Sequence, residues 1–408
     1  MTDARLLSGV ALAEALGACR QRTLAWTGDL TDAQWAVPQR PGVNPVAWEL
    51  AHLAWFAEFW VLRGPHRVDN QGTVRAWKPA RYVGPDALLD SSLLPHAERW
   101  IATLPSRERV LQMLDAQLQA CVAAVPSGDD DAELYFHRLV LFHEDMHGEA
   151  FAWLRAANEY PLPRGATLRC HPAGKPMLVR GGEVHLGRQA GMRGFAFDNE
   201  LPGRTASLED FEIDASPVTA GEFLAFVEAG GYDSPQFWPG DAGRWRAATP
   251  RSHPARWRRR AARSGSDIQW EVRWFDQWQL LDPVQPVIHV NAFEAQAYCQ
   301  WAGRCLPTAG QWEHAARTAP APGVPSPVSS SGFAWGGSVW EWTADRFEPY
   351  PGFVPGPYKD YSAPWFGSHR ELRGGSFATH PRLRDAGYRN FFTPERSDIF
   401  AGFRTASA

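Results

Sequence analysis

The sequence predicts an α+β protein, with a helical N-terminal part followed by a larger module of turns, short strands and only local helix. Residues 1–157 keep a helical period in their apolar positions. Residues 158–175 then break that period with three Pro and two Gly, and beyond them short runs alternate with Gly, Pro and aromatic residues. The content of 20 Trp, 36 Gly and 33 Pro suits a module of loops pinned by indole packing and not an all-helical chain.

The helices follow in order. One is expected from about Ala4 to Trp26. A second takes Asn44 as N-cap and Pro45 at its first position, runs through Trp48, His52, Trp55 and Phe59, and stops at Gly64-Pro65. The third lies behind a Ser106 N-cap and extends to Ala124, with Val110, Leu114, Leu118 and Cys121 on one face. The fourth runs from about Asp131 to Arg155. Four helices predict a bundle over residues 1–160, and the second domain is placed at 176–408. Within it, helix is expected at Ala220–Ala229 and Ala292–Ala302, a solvated loop face at the basic run Arg251–Arg263, and a flexible Pro/Ser-rich loop at 319–331.

Composition excludes several classes. With 41 Lys plus Arg against 45 Asp plus Glu, a net charge of −4 and 44% hydrophobic residues, the chain reads as folded and nearly neutral, with no demand for nucleic acid. The start lacks a basic segment followed by an apolar one, and no stretch approaches 18 uninterrupted apolar residues, so a cytoplasmic protein without a membrane partner is expected. Five widely spaced cysteines without a CxxC pair predict free thiols rather than a disulfide framework or thiolate zinc site.

The most informative residues are His143-Glu144-Asp145-Met146-His147. Two imidazoles four apart project from one helical face with Cβ atoms about 6 Å apart, a spacing that suits one metal ion. His52 offers a third imidazole from the helix that carries Trp48, Trp55 and Phe59, where a hydrogen-bonded core histidine is the alternative. Three histidines from two helices would leave other coordination positions open. The same HExxH pattern occurs in zinc hydrolases, where its Glu serves as general base. His137, six residues before His143, lies on a different face and is a poor ligand.

Residues Pro286–Arg317, the run GSVWEWT at 337–343, Leu372-Arg-Gly-Gly-Ser-Phe and Ala401-Gly-Phe-Arg404 resemble the formylglycine-generating-enzyme, or sulfatase-modifying factor, fold. GGEVHLG, FDNELP, FEIDASPVT and GEFLAFVEAGGY fall in that family's order, so the resemblance covers most of 176–408. It implies a Trp-rich, C-type-lectin-like module with little regular structure. Such a module behind a DinB-like bundle carrying His52 and His143 to Glu149 as HExxHxE resembles the ergothioneine-forming sulfoxide synthases. That resemblance implies a non-heme iron(II) enzyme using O2, with His52, His143 and His147 as iron ligands and hercynine (trimethylhistidine) and a soft donor as substrates. It also implies a site where the two domains meet. Formylglycine generation itself is not expected, because no Cys follows Cys305 and Thr379 stands near where thiols would be needed.

Departures from the family pattern bear on the donor. Asn390 matches a hydrogen-bond partner for hercynine, with Phe391 packed beside it. Phe392 stands where members using gamma-glutamylcysteine have an acidic residue, and it cannot pair with an ammonium group. Phe347 stands where some members have a proton-donating tyrosine, leaving Tyr350 as the candidate catalytic residue. Met146 replaces a frequent Gln and softens the pocket. The segment from Gly84 to Trp100 resembles the pattern of selenoneine synthases, with Asp90, Ser91 and Ser92 as hydroxyl partners for a sugar, or as ordinary loop caps. Trp340, Trp342, Phe391 and Phe392 are candidates for holding the trimethylammonium group, or for core packing.

The resemblance therefore implies O2-dependent formation of a carbon–selenium bond between hercynine and a selenosugar. The alternatives are carbon–sulfur bond formation with cysteine or another thiol and, more distantly, zinc hydrolysis. A monomer or weak homo-oligomer is expected.

Overall fold

A computed structural model describes residues 3–163, 176–189, 191–261, 268–318 and 335–407. Cys170, the end of the basic run at 262–263 and the segment 319–331 lie outside the described residues. The chain divides into two compact units, Met1–Arg164 with Arg193–Phe195, and Gly165–Met192 with Ala196–Ala408.

In the first unit, a 3-10 turn at Ala4–Leu6 precedes α1 (Gly9–Thr27), and a short α2 (Asp32–Trp35) follows it. Next come α3 (Val46–Ala57), continued by a π-helical turn over Glu58–Leu62, the strand pair β1 (His66–Val68) and β2 (Val74–Ala76), and α4 (Asp86–Leu89). α5 (Arg107–Ala123) and α6 (Asp131–Ala157) complete the bundle. α1 packs mainly on α6 and α3 mainly on α5, and each also touches the other's partner. Ser106 caps α5 as expected, its hydroxyl accepting from the Arg109 N–H at 3.2 Å, and the Asp130 carboxylate caps α6. Asn44 does not cap α3: Pro45 holds the N-cap position, and the Asn44 amide donates to Glu49 at 3.2 Å. Arg193–Phe195, distant in sequence, joins this unit by stacking Phe195 on Phe142 at 5.0 Å.

The second unit is built around a four-stranded sheet of order β12-β11-β10-β13. Its strands are β10 (Trp340–Arg346), β11 (Arg370–Gly374), β12 (Asn390–Phe392) and β13 (Ala401–Gly402), and a register shift falls between Trp342 and Arg346. Antiparallel pairs β3 (Met177–Val179) with β6 (Phe211–Ile213) and β4 (Gly182–Leu186) with β5 (Arg204–Leu208) accompany it. Four helices, α7 (Ala220–Glu228), α8 (Asp241–Ala248), α9 (Ala292–Ala302) and α10 (Ala309–Thr318), are inserted between strands. Capping boxes start α7 at Thr219 with Glu222 and α9 at Asn291 with Glu294.

Indoles pin this unit as the composition suggests, because buried rings such as Trp312 and Trp342 also tie distant segments together through their N–H groups. Trp312 donates to Glu341 at 2.7 Å and Trp342 to the Val290 carbonyl at 2.9 Å. The basic run is not a loop: Trp257–Ala261 is strand β7, paired with β8 (Ile268–Trp274), which pairs in turn with β9 (Gln277–Leu280). Trp257 is buried, and Arg258 and Arg260 both pair with Glu271. Among the described residues, Cys19, Cys121, Cys299 and Cys305 are free thiols. No helix among them is long and apolar enough to cross a membrane.

Candidate metal centre

The bundle brings His52 of α3 together with His143 and His147 of α6, with one nitrogen from each lying within 4.8 Å of the others. The separations between ring centroids are 5.3, 5.3 and 4.5 Å. A single ion bonded at about 2.1 Å holds neighbouring nitrogens roughly 3 Å apart, a spacing that small ring rotations supply here. Among the described residues this is the one cluster of His, Cys, Asp or Glu with such spacing.

Two of the tautomers follow from the partners. His52 Nδ1 lies 2.7 Å from the Leu89 carbonyl oxygen, an acceptor only, so Nδ1 carries the proton and Nε2 keeps its lone pair. His147 Nδ1 lies 2.8 Å from Glu49 Oε1, which imposes the same tautomer. His143 lies flat on Phe56, with centroids 3.6 Å apart and planes 6° from parallel, which fixes its ring. Burial, followed by the neighbouring His147, depresses the His52 pKa to about 3, and the same causes hold His143 well below the usual imidazole range. Neutral imidazoles with free lone pairs are the form in which histidine binds first-row transition metals.

α4 positions the α3 side of the site. Trp55 Nε1 donates to Asp86 Oδ1 at 2.8 Å, Trp48 Nε1 to the Leu88 carbonyl at 2.8 Å, and His52 to Leu89. Residues 48, 52 and 55 share one face of α3, so that face meets α4 at Leu88, Leu89 and Asp86. The Arg63 guanidinium holds Asp86 through both carboxylate oxygens.

Glu144 is not available as a general base. Both its oxygens are taken by Arg20 of α1, at 2.7 and 3.0 Å, in a buried pair. This removes the zinc-hydrolase reading, whose base must face the metal-bound water. Asp145 beside it accepts from Cys19 and lies 3.6 Å from Arg22. His137 is buried away from the three ligands and belongs to no metal-spaced cluster.

The remaining candidates fare unequally. Met146 is half-buried on α6, three residues after His143. Asp90 accepts from the Ser92 N–H at 2.9 Å and its hydroxyl at 2.7 Å, and Ser91 gives its carbonyl to Arg99, so loop capping occupies two of these groups. In the second unit Asn390 and Phe391 are half-buried on β12, with the Asn390 side-chain oxygen accepting from the Phe391 N–H. Phe391 stacks on Phe347 at 4.1 Å. Phe347 is fully buried among Phe391, Phe366 and the Arg389 guanidinium, so it supports Phe391 and presents no face of its own. Trp340 and Trp342 are likewise core residues. Phe392 carries the Arg396 guanidinium 4.8 Å over its ring, which competes with any second cation there.

The Tyr350 hydroxyl accepts from Arg373 at 3.3 Å, and burial raises its pKa, so it keeps its proton. Ser376 and Thr379 are buried and bonded to each other through their hydroxyl groups. Sequence reasoning missed Glu49, Leu89, Asn44 and Arg99 as partners of the site, because nothing local in the sequence marks contacts over such separations.

Comparison with known proteins agrees with this division. The description "Sulfatase-modifying factor enzyme 1-like domain" matches residues 166–336 and 331–408, and "DinB superfamily" matches 15–154. The hercynine oxygenase of Mycolicibacterium smegmatis is 31% identical over 97% of this chain and 98% of its own length. That of Mycobacterium tuberculosis is 32% identical over 96% and 97%. The formylglycine-generating enzyme of Streptomyces coelicolor is 32% identical over only 58% of this chain and 92% of its own. The bundle and the module thus find a common match along their whole length in the first two, and the chain belongs to the hercynine oxygenase family, with a DinB-type helical domain followed by a sulfatase-modifying factor enzyme 1-like domain.

Proposed function

We propose that this protein is a non-heme iron(II), O2-dependent oxidoreductase that joins the imidazole of hercynine to a selenosugar. The observation that carries the reading is the convergence of His52, His143 and His147 with two tautomers fixed by Leu89 and Glu49. Bound there, iron(II) would supply activation of dioxygen and a soft-donor coordination position. The overall reaction balances without an external reductant: the imidazole C–H and the selenol Se–H bonds break, a C–Se bond forms, one oxygen atom goes to selenium and the other leaves as water.

The chain's own residues have separable tasks in this reading. The three histidines hold the metal by their neutral nitrogens, while the Arg20 clamp keeps Glu144 from competing for it. Asn390 would orient hercynine and Phe391 would offer a ring face to its trimethylammonium group, which has no N–H to donate. Tyr350, protonated, is the candidate proton donor, and Met146 lines the pocket. Asp90 and Ser91 would meet the hydroxyls of the sugar.

A selenosugar is favoured over a peptide thiol because residues 84–100 offer no ready carboxylate clamp. Their buried Arg99 is already bonded to Asn44, Ser91 and Leu94. Carbon–sulfur bond formation with cysteine or another thiol is the second reading, supported by full-length similarity to the hercynine oxygenases.

The test is protein loaded anaerobically with iron(II), mixed with hercynine and, in parallel, a selenosugar, its thiosugar analogue, cysteine and gamma-glutamylcysteine. Oxygen is then admitted and products are read by mass spectrometry. Selective consumption of the selenosugar is expected. Preference for a thiol would move the protein to sulfoxide synthesis, and no hercynine adduct with any donor would overturn the functional reading.

A further inference from the structure

We propose that Glu49 is a positioning and charge-tuning residue for the metal site, acting through His147, and that Asn44 and Arg99 hold it in place. The inference rests on the reading that the three histidines bind a metal ion.

Glu49 is 1% exposed in the first turn of α3. Its two direct side-chain partners are an imidazole and an amide: Oε1 accepts from His147 Nδ1 at 2.8 Å, and Oε2 from the Asn44 amide at 3.2 Å. A buried carboxylate with no guanidinium or ammonium group bonded to it bears a desolvation cost that a nearby cation offsets. The helix N-terminus supplies a partial one. Arg99 reaches the carboxylate only through Asn44, whose side-chain oxygen accepts from it at 2.7 Å. An ion at His147 Nε2 would place a full positive charge one imidazole away from Glu49, so the carboxylate and the metal stabilise each other across the ring.

The imidazoles of His52 and His147 are therefore inequivalent: His52 gives its Nδ1 proton to a neutral carbonyl and His147 to a carboxylate. The carboxylate makes the His147 ring a more electron-rich donor than that of His52. Arg99 touches both arms of the site. Through Asn44 it serves Glu49 and His147, and its guanidinium lies 3.9 Å over Trp48, whose indole stacks on His52 at 4.9 Å. It also bonds the Ser91 and Leu94 carbonyls, tying the segment after α4 to the same group.

The experiment uses full-length metal-free protein and Co(II) alone as probe, with affinity from competition titration and the ligand field from d–d absorption. Glu49→Gln keeps an acceptor for Nδ1–H and removes the charge. The expected result is a tenfold to hundredfold weaker affinity with shifted d–d bands, and partial recovery in Glu49→Asp. Asn44→Ala, which leaves the carboxylate in place at a half-buried position, is expected to weaken Co(II) severalfold and serves if Glu49→Gln does not fold. Wild-type affinity and spectrum in Glu49→Gln, or in Asn44→Ala where that variant must serve, overturn the proposal. Failure of the wild-type protein itself to bind Co(II) overturns instead the metal reading on which it rests.

Discussion

The histidine cluster of the bundle and the charged core of the module both bury polar groups, but they settle them in opposite ways. In the bundle the imidazoles of His52 and His143 are kept neutral by burial, and the partners of His52 and His147 take up only one ring nitrogen of each. In the module, Glu371 is paired with both Arg373 at 2.8 Å and Arg389 at 2.7 Å, and Arg373 also meets Glu313 at 3.2 Å. Burial alone would raise the Glu371 pKa, yet the two guanidinium groups bring it below its ordinary value. A closed charge network holds a loop-rich module rigid, whereas lone pairs left over at a point of convergence mark a place for a ligand.

The sharpest break in this contrast is His147→Ala, which is expected to abolish metal retention and turnover, measured by metal analysis and product formation. Glu144→Gln, one turn away and facing Arg20, should leave metal content intact and its folded fraction active, since its partner is structural. In the module, Glu371→Gln leaves Arg373 and Arg389 without their shared carboxylate. It is expected to cost about 3–5 kcal/mol of stability in denaturant titration with no change in metal content.

Acid should separate the regions differently. The unfolded chain protonates His52 below pH 6.5, while the folded state resists until about pH 3. The stability this group contributes is thus complete above pH 6.5 and is lost as pH falls toward 3. Metal-free wild-type protein should show a steeper fall in melting temperature across that window than His52→Gln, and parallel profiles would contradict the assignment. The smallest effect expected is for Asn390→Ala, an approximately tenfold rise in the dissociation constant of hercynine by calorimetry, with metal content unchanged.

How much of this was legible in the sequence follows from range. The caps at Ser106 and Asp130 and the spacing of His143 and His147 are local, so periodicity and residue type find them. The pairing of Glu49 with His147 spans 98 residues and that of Arg20 with Glu144 spans 124, and no local pattern encodes either. Asn44 looks like a helix cap because amides favour that position, but its hydrogen bonds go to Glu49 and Arg99 instead. The basic run Arg256–Arg260 is polar enough to resemble a loop. Only its antiparallel partner β8, bearing Glu271, makes it a strand.

The contact between α3 and α4 has a consequence for redesign. Two of its three acceptors, at Leu88 and Leu89, are main-chain oxygens, so the half-buried Leu88 side chain is open to exchange, while Asp86, bonded through its carboxylate, and the fully buried Leu89 are not. The length of the segment is far less tolerant, because removing one residue between 86 and 89 turns the following carbonyls by about 100° and leaves His52 without its acceptor. Libraries that aim at a new donor substrate should therefore vary identities from Asp90 onward and keep the count of residues before it fixed.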